Sequence, residues 1–319
     1  MNMDCLNPMI PISITLFLWI GQLNRLIQFR MHSVFKIFLI LLFPLYGIGT
    51  QFLVLPVNAE ELSLGNHPTI LGIKSGNPAL YSAPELHPDF SVSRGLWLGD
   101  VTLTHLSYAQ VLKSKKIFHI SAKYSGISDL EFRESVPQDD AFSTFSSYGI
   151  LLKSGLSIQR ENQKFGLSLS YISMGLYTDV SSGLGLNLGY ALNLKNGFTF
   201  GATIKNLGKM SELSSGSPIL PICVSGGLSK KITFNEYHNT LYGSADWNQV
   251  SDAVKVYLGN QFRWNQLSIM SGFSSSKNVV ETSGGFGVQI SRYQITYGIK
   301  FGSQNLGIPQ TISFQFQLP

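Results

Sequence analysis

The sequence predicts an all-β fold: a transmembrane antiparallel β-barrel of about 14 strands, with an N-terminal hatch segment folded into its lumen. Three observations carry this expectation. From about residue 90 onward, apolar and small polar residues alternate with period two. Charged residues make up only 13% of the 319, about half the usual share of a soluble domain. After residue 55 no apolar run approaches the roughly 20 residues that a membrane-crossing helix needs, so a crossing has to be made by strands.

The N-terminus holds two apolar stretches, Ile10–Ile20 and Ile37–Ile48. The second follows Met31, His32 and Lys36, reads FKIFLILLFPLYGIG and ends in small residues. That is the n-region, h-region and cleavage-site order of a secretory signal. Residues 1–50 are therefore expected to be a signal-peptide region with its true start at Met31 and cleavage between Gly49 and Phe52. A long signal or an uncleaved anchor starting at Met1 is the alternative. Cleavage removes Cys5 and leaves Cys223 alone, which forms no internal disulfide.

Residues 51–89 lack the alternation of the rest of the chain. Five prolines and the pairs Gly65-Asn66 and Gly76-Asn77 interrupt any long element. Only Ala59–Leu64 has the composition for a helical turn or two. The apolar content (Phe52, Leu53, Val54, Leu55, Leu62, Leu64, Ile70, Leu71 and Leu80) asks for burial. Irregular backbone at membrane depth is tolerated where protein or water satisfies it, so this segment is expected to plug the lumen. A flexible periplasmic arm is the alternative.

Residues 90–319 are expected to form the barrel. Leu184, Leu186, Leu188, Tyr190, Leu192 and Leu194 alternate with Gly185, Asn187, Gly189, Ala191 and Asn193, and the same pattern recurs at 165–171, 295–302 and 312–318. Strict alternation puts one set on each face of a strand. The expected strands are Phe90–Leu98, Val101–Leu112, Ile117–Tyr124, Tyr148–Gln159, Phe165–Leu176, Leu184–Leu194, Phe198–Leu207, Ile219–Lys231, Asn239–Trp247, Val254–Trp264, Leu267–Phe273, Gly284–Ser291, Gln294–Gly302 and Thr311–Leu318. Twelve strands also fit. Short turns are expected at Arg160–Lys164, Lys195–Gly197, Asn265-Gln266 and Ser291–Tyr293. Longer loops are expected at Ser125–Ser143, Tyr177–Gly183, Lys209–Ser217, Asn248–Asp252, Ser274–Ser283 and Ser303–Pro309. Alternation of short turns and longer loops is the habit of membrane barrels.

A soluble β-sandwich also alternates. Two features favour the membrane. The face opposite the apolar one is mostly Gly, Ser, Thr, Asn and Gln, and Trp97, Trp247, Trp264, Tyr177 and Tyr293 sit near strand ends, where interfacial girdles belong. Lys153, Lys205, Lys255 and Lys300 fall on the alternate face, where a charge is tolerated, and are candidate lumen charges. The basic group Lys113, Lys115 and Lys116 reads as a solvated turn and not as a nucleic-acid site. The acidic group Asp129, Glu131, Glu134, Asp139 and Asp140 reads as a solvated loop. The six histidines (32, 67, 87, 105, 119 and 238) show no paired ligand spacing, and no nucleophile elbow or phosphate-binding Gly loop is present. No catalytic residue, cofactor or metal is expected, and the chain reads as a non-enzyme.

FLVLPVNAEELSLGN followed by SGNPALYSAPEL resembles the N-terminal region of the PorV/PorQ group of outer-membrane proteins, within the wider FadL-like barrels. The matching residues are Phe52-Leu53, Ala59–Asn66 (Gly65 and Asn66 included) and the Asn77-Pro78-Ala79 turn. GATIKNLG at Gly201–Gly208 resembles a strand ending common to the same group. The segment HPTILGIKSG departs from the group's usual Asp- and Ala-rich stretch. The resemblance implies a fourteen-stranded barrel with an N-terminal hatch in a bacterial outer membrane. Its implied partners are outer-membrane lipid and secretion components or secreted cargo of a type IX secretion system. The FadL-like alternative implies a transporter for hydrophobic small molecules.

Overall fold

A computed structural model describes residues 49–67, 76–81, 88–112, 116–132, 143–213, 216–277, 279–302 and 307–318. The leader with Met31, the turn residues Lys113 and Lys115, and Glu134, Asp139 and Asp140 of the acidic loop lie outside them.

Fourteen antiparallel strands close into one barrel. They are β1 (Asp89–Leu96), β2 (Thr102–Leu112), β3 (Lys116–Phe132), β4 (Ser143–Arg160), β5 (Gln163–Leu176), β6 (Asp179–Asn193), β7 (Phe198–Met210), β8 (Cys223–Phe234), β9 (Tyr237–Asn248), β10 (Ala253–Trp264), β11 (Leu267–Ser276), β12 (Val279–Ile290), β13 (Tyr293–Gly302) and β14 (Gln310–Gln317). Each pairs with its neighbour in sequence, and β14 closes on β1 with Val92 opposite Phe314 and Ser93 opposite Ser313. Closure leaves no free sheet edge along the wall, so every strand satisfies its backbone groups inside the bilayer. Among the described residues no helix is long and apolar enough to cross a membrane.

The burial pattern is inverted relative to a soluble protein. Leu169 and Leu184 are 64% and 67% exposed, and Leu152, Leu258, Ile269, Phe286 and Ile312 are likewise on the outside. Ser91, Ser107, Ser121, Ser168, Asn187, Ser283 and Ser313 are buried inside. Apolar residues outside and small polar residues inside exclude the sandwich reading, because only lipid rewards that arrangement. Arg94 is the outward-facing exception on β1. It stands two residues from the strand end and donates to Thr104 Oγ1 at 2.7 Å, where a charge costs far less than at the midplane.

All connections at the end where β1 begins and β14 ends are short. Glu161, Asn235, Asn265 and Ser291 occupy positive-φ positions in these turns, a conformation that two-residue hairpins demand. The longer connections gather at the other end, which is the extracellular side by the usual asymmetry of such barrels.

Several expected loops are strand. Tyr177–Gly183 contracts to a turn at Tyr177-Thr178, with β6 starting at Asp179, and Ser274–Ser283 becomes the ends of β11 and β12. β3 runs on to Phe132 through a bulge between Ile127 and Leu130, with Asp129 at φ 60°. Polarity was the signal for a loop, but these residues lie above the apolar band, where a ladder needs no lipid-facing side chain. β8 begins at Cys223 and not at Ile219, because Pro218 and Pro221 have no N–H for the ladder. Trp97 is not part of the outer girdle: its ring lies 5.1 Å from the Nζ of Lys300, a residue buried on the lumen side.

Candidate functional site

The described part of the N-terminal segment, residues 49–67 and 76–81, lies inside the barrel and is fixed to it in three places. The first is at the upper, extracellular side. Thr50–Val54 forms a single 3₁₀ turn. Phe52 packs with Leu151, Ile172, Met174, Met210 and Leu220, and Thr50 Oγ1 donates to Ile219 O at 2.5 Å. Lys123 of β3, only 3% exposed, donates its Nζ to Phe52 O at 2.7 Å and to Leu55 O at 2.6 Å. Irregular backbone leaves its carbonyls without ladder partners. One ammonium satisfies two of them.

The second place is a short helix, α1 (Ala59–Ser63). The side chain of Asn58 caps it by accepting from Glu61 N at 2.8 Å, as Asn does at helix starts. Gly65 and Asn66 follow at φ 88° and 65°, and Asn66 N donates back to Glu61 O at 2.8 Å, the six-to-one bond of a helix C-terminus. This explains the Gly-Asn pair: the chain must reverse here, and left-handed backbone is easiest for these two types. The barrel meets α1 with polar side chains. Ala59 N donates to Ser313 Oγ at 2.8 Å, Ser283 Oγ to Ser63 O at 2.9 Å, and Gln261 Nε2 to Glu60 Oε1 at 2.9 Å.

The third place is Asn77–Tyr81. Asn77 caps the 3₁₀ turn Pro78–Leu80 by accepting from Ala79 N at 2.9 Å, and its Nδ2 reaches Tyr190 O at 3.2 Å and Ala202 O at 3.3 Å. Asn77 and Ala79 are fully buried. Tyr81 stacks on His119 with ring centroids 3.6 Å apart.

Under these contacts lie pairs of glycines facing each other across adjacent strands. Gly166 opposes Gly189 beneath Asn77–Ala79, Gly259 opposes Gly272 beneath Leu64–His67, and Gly285 opposes Gly298 beneath Ala59 and Ser63. A methyl group at Gly189 would collide with Asn77 Oδ1, and one at Gly285 with Ser63 Oγ. These glycines are landing sites for backbone.

The candidate lumen charges all face inward, but they have different neighbours. Lys255 and Lys300 both pair with Glu281, Lys300 at 2.7 Å. Lys153 and Lys205 line a cavity of 290 Å³ between residues 51–57 and the wall, together with Leu53, Glu61, Tyr81, Asn187, Asp246 and Tyr257. Sequence reasoning missed Lys123, Glu61, Asp246 and Glu281. Lys123 shares the alternate face of β3 with His119 and Ser121, so the same alternation that found Lys153 also marks it. Glu281 was hidden in an expected loop. Among the described residues no three His, Cys, Asp or Glu side chains group as metal ligands.

His67 carries a pH dependence. It is fully buried, with Nδ1 2.6 Å from Ser244 Oγ. Burial lowers its pKa to about 4, against a smaller upward pull from the backbone of Leu258. The undocked segment therefore binds a proton more readily than the docked one. The contribution to docking is complete above pH 6.5 and is lost as pH falls toward about 4. The full effect is about 3 kcal/mol. Amide exchange at Leu64–His67 is expected to accelerate across that window, and His67→Asn should flatten the profile. A flat profile in the unaltered chain would refute the assignment.

No family model matches the chain, and no curated protein matches it in sequence. Solved structures do match in fold. One, described as "CymD monoaromatic hydrocarbon channel", aligns with a TM-score of 0.63 at 12% identity, covering 83% of this chain and 98% of that one. Another, described as "TodX monoaromatic hydrocarbon channel deltaS2 mutant", aligns with a TM-score of 0.55 at 12% identity, covering 82% and 99%. This fold and the apolar exterior are those of a bacterial outer-membrane β-barrel.

Proposed function

We propose that the chain is a hatch-closed outer-membrane barrel of the PorV/PorQ type, which binds protein partners in secretion or surface attachment. In this reading residues 51–89 are the hatch. The supporting observation is the fixing of residues 49–67 and 76–81 to the wall, which leaves the 290 Å³ cavity beside the upper segment. A lumen of Ser, Asn, Gly and Lys, filled by docked backbone, offers little apolar area to a long hydrophobe, and transfer free energy scales with that area at roughly 25 cal/mol per Å². The residues that carry the PorV/PorQ resemblance, Phe52, Gly65-Asn66 and Asn77–Ala79, are also those that dock.

The rival reading is a channel for small hydrophobic molecules, favoured by the fold shared with the two hydrocarbon channels. Two measurements on the barrel purified in gentle detergent separate them. Partner binding predicts a stoichiometric complex with another protein of the same envelope and no saturable palmitate binding. Tight palmitate binding, lost on deleting residues 51–89, with no co-purifying protein would replace this reading with transport.

A further inference from the structure

The upper lumen holds more positive than negative charge. Lys123, Lys153, Lys205, Lys255 and Lys300 stand against Glu61, Asp246 and Glu281. Most of these groups are occupied. Glu281 takes Lys255 and Lys300, Lys123 is held by two hatch carbonyls, Asp246 accepts from Tyr257 Oη at 3.0 Å, and Glu61 accepts from Val57 N at 2.9 Å. Among the described residues, Lys153 and Lys205 form no hydrogen bond or close ion pair; both line the cavity, where the carboxylate of Glu61 acts on each at longer range and that of Asp246 acts on Lys205.

The placement of Lys205 is built into the fold. β7 bulges where Leu188 opposes Ile204 but Leu186 opposes Leu207, so Lys205 and Asn206 together face Asn187. Asn206 sits at φ 62°. Its N–H donates to Asn187 Oδ1 at 2.8 Å, and its Nδ2 donates to Pro221 O at 2.9 Å. A bulge re-aims a side chain, and here it is clamped from two sides. Lys153 on β4 stands three strands away, about 14 Å along the sheet, within the combined reach of two lysine stems. The cavity also presents Leu53, Leu55 and Leu151, besides the carboxylates of Glu61 and Asp246.

Two ammonium groups without a contact partner, in an upper lumen where lysines outnumber carboxylates, attract an anion, because their field is concentrated in the confined space and water screens it poorly. We propose that the cavity is a binding site for a small organic anion, with a carboxylate or phosphate group received by Lys153 and Lys205 and an apolar body resting on Leu53, Leu55 and Leu151. The site goes beyond the partner-binding reading and does not depend on it. It selects by charge.

The test is equilibrium binding to the purified full barrel, with benzoate, its neutral analogue benzyl alcohol, and inorganic phosphate as probes. Benzoate is expected to bind saturably and at least about tenfold more tightly than benzyl alcohol, the margin of a charge-assisted hydrogen bond. The Lys153→Gln/Lys205→Gln pair should erase that preference. Lys153→Arg/Lys205→Arg should keep it, and Lys230→Gln on the outer face of β8 should leave it unchanged. Phosphate that displaces benzoate assigns the site to the charged group alone; phosphate that fails to displace it assigns a joint role to the apolar lining. Retained heat-modifiable mobility in gels verifies that each variant is folded. Equal binding of benzoate and benzyl alcohol, or a benzoate preference that survives in the Gln pair, would overturn the proposal.

Discussion

Replacing Gly189 with valine is expected to drive the Asn77–Leu80 turn off the barrel wall while leaving the barrel closed. The new Cβ would overlap Asn77 Oδ1 and lie 2.8 Å from Ala79 N. Neither neighbour can yield cheaply, because Asn77 is held by Tyr190 O and Ala202 O and the Ala79 N–H is bound within the turn. Overpacking of this kind costs about 1–3 kcal/mol. The strand itself gains, since valine suits a β ladder better than glycine, and the register with Gly166 and Thr203 is untouched. The turn alone bears the cost. A reporter thiol at Ala79→Cys, in a background with the buried Cys223 changed to Ser, should label slowly in the parent. In the Gly189→Val variant labelling should speed up about ten- to a hundredfold. Adding Gly166→Val, which collides with Pro78 and Ala79 from the opposite strand, should push labelling toward that of an exposed loop. Unchanged labelling in the double variant would mean that the glycine pair is not the landing site.

The legibility of each residue in the sequence depends on how strongly its solvent constrains it. Lipid accepts apolar side chains only, so Leu184 to Leu194 and Ile312 to Leu318 display their outward face in plain alternation, and all fourteen strands could be placed. The constraint ends where the apolar band ends. Above it, Ser182, Ser275 and Glu131 pair in ladders while looking like loop residues. The lumen contacts were harder to read for another reason. Asn77-Pro78-Ala79 is legible as a turn because its cap is local, two residues from donor to acceptor. Its wall partners at Tyr190 and Ala202 lie over a hundred residues away. Alternation places Lys123, Lys153, Lys205 and Lys255 on one face alike, and nothing in the local sequence tells which of them meets the N-terminal segment, which meets a carboxylate and which has no contact partner.

Of these lysines, Lys123 is the one whose loss should be felt most. Lys123→Met is expected to free residues 50–57 from the wall with the barrel still formed. Methionine fills much the same volume but donates nothing. Phe52 O and Leu55 O would then lose their charge-assisted bonds, and Glu61 would lose one of the three lysines whose charge acts on it. Burial already raises the pKa of Glu61, so this carboxylate tolerates the loss of a cation poorly. Removing one member of a buried charged group costs about 3–5 kcal/mol, most of it from what is left behind. Amide exchange within residues 50–57 should therefore accelerate by at least about a hundredfold, while exchange in the strand ladders stays slow. Glu61→Gln in the same chain should recover part of the loss, because the abandoned charge is gone. The two changes together should then cost less than their sum, by about 1–3 kcal/mol. Strictly additive effects would show that Lys123 holds the segment through the two carbonyls alone. Exchange at 50–57 that matches the parent would show that Phe52 and its apolar neighbours suffice to hold it.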